Sequence, residues 1–253
     1  MPAAFARSMA LGLITTLLAA CGATAGGSGA AAGRCTTSAQ YGTCSYPPYQ
    51  VNQDMWNKTA RSAETLTARS AARWRVTTFE PAGSAVRAYP NVSETLGRPI
   101  SDYTAVTATF ADSTPAGGRA DAAFDIWVNG APGTASTARM IEVMVWTSTQ
   151  RTVPSGAPVT AATIDGQGFT VWECRTSACA SHPYYAFVLT GSETSGRVDI
   201  LSFLRWLISR GLVPASDPLT QVQNGWEIAS TGGTTETFSM TSYHLHVALL
   251  QNG

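Results

Sequence analysis

An all-β fold is predicted, a sandwich, jelly roll or barrel with one helix packed on the outside of a sheet. Three observations predict it: short segments of period two from about Cys35 onward, turn residues between them, and a single stretch with helical spacing. The chain has 253 residues, 44% of them apolar, which is enough to bury a core. A β domain of roughly 200 to 250 residues commonly forms one unit. Charge is scarce, at 13%, with 16 Lys and Arg against 16 Asp and Glu. That balance leaves no basic stripe for nucleic acid and no acidic solvating tail.

The N-terminus is not part of the fold. Arg7 precedes an apolar stretch over residues 9–20, shorter than the ~20 residues of a membrane-spanning helix, so residues 1–20 read as an export signal. The stretch ends Leu18-Ala19-Ala20-Cys21, which resembles a bacterial lipobox with Cys21 as the lipidated first residue of the mature chain. Ordinary cleavage after Ala23-Thr24-Ala25, giving a freely secreted protein, is the alternative. Residues 21–34 are almost all Gly, Ala, Ser and Thr, the composition of a flexible tether, and residues 35–253 form the folded domain. Either cleavage puts the protein outside the cytoplasm, extracellular or on the cell surface, with a lipid anchor as its sole membrane attachment.

Export sharpens the cysteine count. Cys35, Cys44, Cys174 and Cys179 remain after Cys21, an even number in an oxidising compartment, with three connectivities open. Local pairing is expected, Cys35 with Cys44 and Cys174 with Cys179, each closing a short loop. The spacings lack the CxxC pairs of zinc sites.

In chain order, residues 104–110, 123–128, 140–146, 169–173, 184–189 and 238–247 are short, rich in β-branched or aromatic residues, and bounded by Gly, Pro, Ser and Asn. Residues 198–212 break the pattern. Val198, Leu201, Leu204 or Arg205, and Ile208 fall at helical spacing, Asp199 stands in the first turn, and Arg210-Gly211 makes a C-terminal stop. No internal repeat is evident, and the Pro-containing stretch at 45–48 is too brief for a domain linker.

The few charges become informative through their positions. Asp125, Glu142 and Glu227 each interrupt a segment that otherwise reads as buried strand. Alternation sets Ile141, Val143 and Val145 toward a core and leaves Glu142, Met144 and Trp146 on the other face. Likewise Phe124, Ile126 and Val128 turn inward, so Asp125 and Trp127 line the opposite side. Glu227 lies between the apolar Trp226 and Ile228 and points away from the core. Acids beside Met and Trp describe a concave, partly dry groove. Glycoside hydrolysis needs two carboxylates there, one ionised to attack the anomeric carbon and one protonated to release the leaving oxygen, with aromatic faces for sugar rings. Polar residues on an exposed strand face are the plainer reading of any one of these acids.

Ile141-Glu-Val-Met-Val-Trp146, preceded by Phe124-Asp-Ile-Trp127 and followed by Val222-Gln-Asn-Gly-Trp-Glu-Ile228, resembles glycoside hydrolase family 12, the small β-jelly-roll endoglucanases. The resemblance runs from about Tyr49 to Val247 in the right order. It includes an aromatic-bearing strand at 49–56 and the helix at 199–212. It implies a jelly roll of two antiparallel sheets with a concave substrate cleft. It also implies a retaining double displacement on β-1,4-linked glucan: cellulose, mixed-linkage glucan or xyloglucan. Glu142 then matches the nucleophile, Glu227 the general acid and base, and Asp125 an acid that tunes the nucleophile. In such enzymes the two carboxyl groups lie ~5 to 5.5 Å apart. Met144 and Trp146 match groove residues, and Trp56 a sugar-stacking tryptophan, with Asp54 beside it on the substrate side. Two features depart from the family: Asn52, Gln53 and Asp54 stand where an Asn pair is usual, and Ile228-Ala229 stands where Pro and an aromatic are common.

Other constellations carry less. His244 and His246 share one strand face, with His182 the third histidine, but a lone pair on a strand is more often surface or hydrogen-bonded, and neither metal nor cofactor is expected. Glu173, beside Trp172, reads as a solvated rim residue. Asn57-Lys-Thr and Asn91-Val-Ser fit the glycosylation pattern by coincidence. The partner implied is a β-glucan, handled by a monomer that binds no nucleic acid. A carbohydrate-binding surface lipoprotein on the same fold, holding glucan without cutting it, is the competing function.

Overall fold

The computed structural model describes residues 33–132, 139–176 and 181–251. Its strands in chain order are β1 (Cys35–Thr37), β2 (Thr43–Tyr46), β3 (Tyr49–Asn52), β4 (Ala63–Ser70), β5 (Arg73–Phe79), β6 (Asn91–Pro99), β7 (Tyr103–Ser113) and β8 (Arg119–Val128). There follow β9 (Ile141–Gln150), β10 (Ala157–Ile164), β11 (Gln167–Cys174), β12 (Tyr184–Leu189), β13 (Ser195–Asp199), β14 (Pro218–Ser230) and β15 (Glu236–Leu249), with helix α1 (Ile200–Ile208) after β13. All six strand segments expected from alternation are present, most of them longer than the pattern indicated.

Two sheets form the sandwich. The nine-stranded one runs β10-β11-β12-β9-β8-β14-β6-β3-β2 and the six-stranded one β1-β4-β5-β15-β7-β13. Pairing is antiparallel except between β12 and β9, which are parallel. The exception follows from the chain path: after β9 the chain crosses to the far edge, lays down β10 and β11, and comes back beside β9 in the same direction. Phe124, Ile126, Val128, Ile141, Val143 and Val145 enter the core between the sheets, as their alternation requires. They meet Leu66, Val76, Val106, Phe110 and Phe238 of the opposing sheet in the same cluster. Each such side chain contributes roughly 1.5–3 kcal/mol by leaving water.

The smaller sheet leaves the β11–β12 end of the larger one uncovered, and α1 fills that place. Phe203 meets Phe169 and Phe187 edge-on at 5.1 and 5.0 Å. The helix is shorter than the expected 198–212. Val198 and Asp199 still pair with Ala108 and Thr107 of β7, so the sheet holds their backbone extended and helix starts only at Ile200. At the other end Gly211 takes φ +68°, and Leu212 N–H bonds back to Leu207 O at 3.1 Å, an end that Gly accepts without strain.

Cys35 and Cys44 form a disulfide, with Cα atoms 5.9 Å apart, which joins β1 at the edge of one sheet to β2 at the edge of the other. Cys174 is also disulfide-bonded. Its expected partner Cys179 lies outside the described residues, as do the export signal, Cys21 and most of the tether. Among the described residues no helix is long and apolar enough to cross a membrane.

Candidate active site

The face of the nine-stranded sheet turned away from the core carries the acids. Residues opposed across neighbouring strands share a face. The registers therefore define a row of side chains across the sheet: Trp172, Ala186, Met144, Asp125, Gln223 and Ser93. Glu142 stands one level to one side of that row, opposite Trp127 on β8 and Tyr184 on β12. Glu227 stands two levels to the other side, opposite Asp121 on β8. Glu142 is 4% exposed and Asp125 5%, while Glu227 is half-buried.

Along β8 the levels of Glu142 and Glu227 are six residues apart, about 20 Å in a flat sheet. The sheet is not flat. Between Ala122 and Ala123 the register with β9 slips, leaving Thr147 as an extra residue whose hydroxyl bonds Ala122 O at 3.2 Å. A bulge of this kind bends and twists the strand that carries it. The result is electrostatic convergence on Tyr184. Burial, followed by the charges of Glu227, Glu142, Asp121 and Asp125, raises its hydroxyl well above the ordinary phenol range. Tyr89 is raised in the same way, by burial and then by Asp125, Glu227 and Asp121. The charges of four carboxyl groups thus all reach Tyr184. Asp121 is itself buried, and burial followed by the charge of Glu227 pushes its pKa well up. A carboxyl so placed keeps its proton.

Met144 and Trp146 form the floor beneath these acids. Both are buried, and Met144 Sδ receives Trp146 Nε1–H at 3.4 Å and Tyr184 O–H at 3.3 Å. Trp56, at 36% exposed, sits in the turn after β3. That turn is stitched to the wall beside Glu227. Tyr89 N–H bonds Asp54 O at 2.9 Å, Asn57 Nδ2 bonds Val86 O at 2.8 Å, and Arg87 N–H bonds Ile228 O at 2.8 Å. Asp54 adopts φ 38°, which turns the chain toward Trp56. Asn52 donates to Asn91 Oδ1 at 3.1 Å and Ser93 Oγ at 3.0 Å, so two asparagines lie side by side across β3 and β6 rather than in series. Ile228 belongs to the core, so of the pair Ile228-Ala229 it does not line the groove.

Three residues of this face were passed over in the sequence. Asp121 has the same parity on β8 as Asp125, and Tyr184 and His182 share parity ahead of and along β12, so alternation did carry a signal. The sequence by itself groups His182 only with His244 and His246. The structure puts those two on the exposed side of β15 and puts His182 against Glu142, Nε2 to Oε2 at 2.6 Å. Among the described residues no group of three or more His, Cys, Asp or Glu has the geometry of a metal site. Glu173 sits at the end of β11, partly exposed and ion-paired with Arg175.

Carboxyl groups beside aromatic side chains on the open face of a two-sheet sandwich are what glycoside hydrolysis requires. Residues 47–248 match glycosyl hydrolase family 12. The chain belongs to that family and is a glycoside hydrolase. It is 27% identical over 213 residues to endoglucanase A of Aspergillus kawachii, covering 80% of this chain and 89% of that protein. Its fold superposes on the xyloglucanase domain of NopAA, a type three effector from Sinorhizobium fredii solved with cellobiose. There the TM-score is 0.75 at 26% identity, over 85% of this chain and 99% of the other. Endoglucanase Cel12A from Rhodothermus marinus gives a TM-score of 0.75 at 19% identity over 85% and 100% of the two chains, a likeness of fold.

Proposed function

We propose that the protein is an exported endo-β-1,4-glucanase that works by retaining double displacement, with Glu142 as nucleophile and Glu227 as general acid and base. The observation that carries this reading is the register that sets Glu142 opposite Trp127 and Tyr184, Asp125 opposite Met144 and Glu227 opposite Asp121 on one face of the larger sheet. Glu142, low in the cleft among Met144, Trp127 and Tyr184, attacks the anomeric carbon from beneath the sugar. Glu227, half-exposed and opposite the proton-holding Asp121, delivers a proton to the leaving oxygen and later takes one from water. Asp125, diagonal to Glu142 across β8 and β9, tunes its charge. Trp56 offers a face for a more distant glucose ring, and Asp54 borders the same stretch of cleft. The endoglucanase and xyloglucanase relatives support a β-glucan substrate: cellulose, mixed-linkage glucan or xyloglucan. Cleavage before Cys21 and its lipidation would tether the domain to the outer face of the cytoplasmic membrane through residues 21–34, and mass spectrometry of the mature N-terminus tests this.

Reducing-end release from carboxymethylcellulose, mixed-linkage glucan and xyloglucan by wild type, Glu142→Gln and Glu227→Gln tests the chemistry. Glu142→Gln is expected to lose about 10⁴-fold or more in kcat. Glu227→Gln should lose about 10²–10⁴-fold. Wild-type hydrolysis by Glu142→Gln would remove it as nucleophile, and a wild type that binds all three polymers while cutting none would be a binding protein.

A further inference from the structure

We infer that His182 is a positioning residue for the Glu142 carboxylate, holding Oε2 so that Oε1 faces the anomeric carbon and stabilising the carboxylate when it leaves the sugar. This rests on Glu142 being the nucleophile. His182 Nε2 lies 2.6 Å from Glu142 Oε2, with the two side chains 6% and 5% exposed. The imidazole is held from other directions too. Its Nδ1 is 3.1 Å from Ser181 Oγ, its ring meets Trp127 edge-on at 5.2 Å, and Glu142 N–H bonds Pro183 O at 3.0 Å, locking the backbone next to the ring.

An ionised carboxylate only accepts hydrogen bonds, so in the reactive state Nε2 carries the proton that points at Glu142 Oε2. In the first step Oε1 bonds to C1 while the C1–O bond to the departing glucan breaks and that oxygen takes the proton of Glu227. Oε2 becomes the ester carbonyl oxygen and still accepts from His182. In the second step water gives a proton to Glu227 and its oxygen bonds to C1. The C1–Oε1 bond breaks, and its electron pair returns to a carboxylate whose charge is shared with Oε2. The His182 N–H bond therefore strengthens as negative charge returns, which lowers the barrier to deglycosylation and leaves the first step without that help. Tyr184 of β12 stands opposite Glu142 and Asp125 of β8 is diagonal to it, and the charges of Asp121, Asp125 and Glu227 reach the same Tyr184 hydroxyl as that of Glu142.

The test uses 2,4-dinitrophenyl β-cellobioside, whose good leaving group makes deglycosylation slow. In His182→Leu, kcat and KM are expected to fall together by about tenfold or more while kcat/KM stays near wild type. The acid limb of kcat/KM should move up by about one pH unit, because the carboxylate has lost a donor. His182→Gln, which keeps an N–H, should recover most of both effects. Unchanged kcat and an unmoved acid limb in His182→Leu, or a fall confined to kcat/KM, would overturn the inference. Should the Leu variant fail to fold, an unaltered acid limb in a folded His182→Ala would overturn it equally. Glu142→Ala with azide separates the two claims. Formation of α-cellobiosyl azide keeps the nucleophile assignment whatever His182 does, and its absence removes both.

Discussion

Gly225 gives a residue-scale reason for what looks in the sequence like a weak Gly-x-Glu element. It lies on β14 opposite Ala123 and Asn91, and a methyl group there would overlap the Pro90 carbonyl oxygen and the Asn91 Cα. Both obstacles are backbone, so neither can swing aside. Gly225→Ala is expected to push β14 off β6 and to destabilise by about 1–3 kcal/mol, a Tm drop of about 2–12 °C. Glu227 is two residues away on the same face, so kcat should fall in the folded protein as well. A melt and a rate equal to wild type would mean that the strands can part there at no cost.

At the scale of the element, α1 depends on tertiary packing. Nine residues are too few to hold a helix in water by themselves, and Asp199 at its N-cap makes no side-chain capping bond. What holds it is the buried side made by Ile200, Leu201, Phe203, Leu204 and Leu207. Phe203→Ala removes the ring lodged between Phe169 and Phe187 and should cost about 3–5 kcal/mol in a denaturant melt. The consequence reaches the cleft, because Phe187 belongs to β12, whose other face presents Tyr184 and Ala186. A loss under 1 kcal/mol would show that the smaller sheet, and not α1, covers that end of the core.

For the whole molecule, buried carboxyl groups set the direction of its pH dependence. Burial pushes Asp112, on β7, up to about 7. An unfolded Asp titrates near 3.9. Between these values the folded state holds the proton more firmly than the unfolded one, so the stability this difference confers is present below about pH 4 and lost as pH rises to about 7. Asp121 and Glu64 are raised as well, each by burial first and then by a neighbouring acid, Glu227 and Glu80 respectively, so they act in the same direction. Asp112→Asn should raise Tm at pH 8 by about 2–8 °C and leave it unchanged at pH 4. Equal shifts at the two pH values would assign the effect to packing.

The alternating pattern settled by itself the all-β class, the inward faces of 124–128 and 141–145, the outward direction of Asp125, Glu142 and Glu227, and the existence of one helix near residue 200. Those are local properties, since successive side chains on a strand point to opposite faces whatever the strand pairs with. Which acids meet was decided by the tertiary structure. Register and the slip at Thr147 let the charge of Glu227 reach a tyrosine that is level with Glu142, and the return of the chain into β12 brought His182 onto the carboxylate. Such contacts join residues 40 and more positions apart, and their geometry depends on how every intervening strand bends, which no segment of the chain encodes alone.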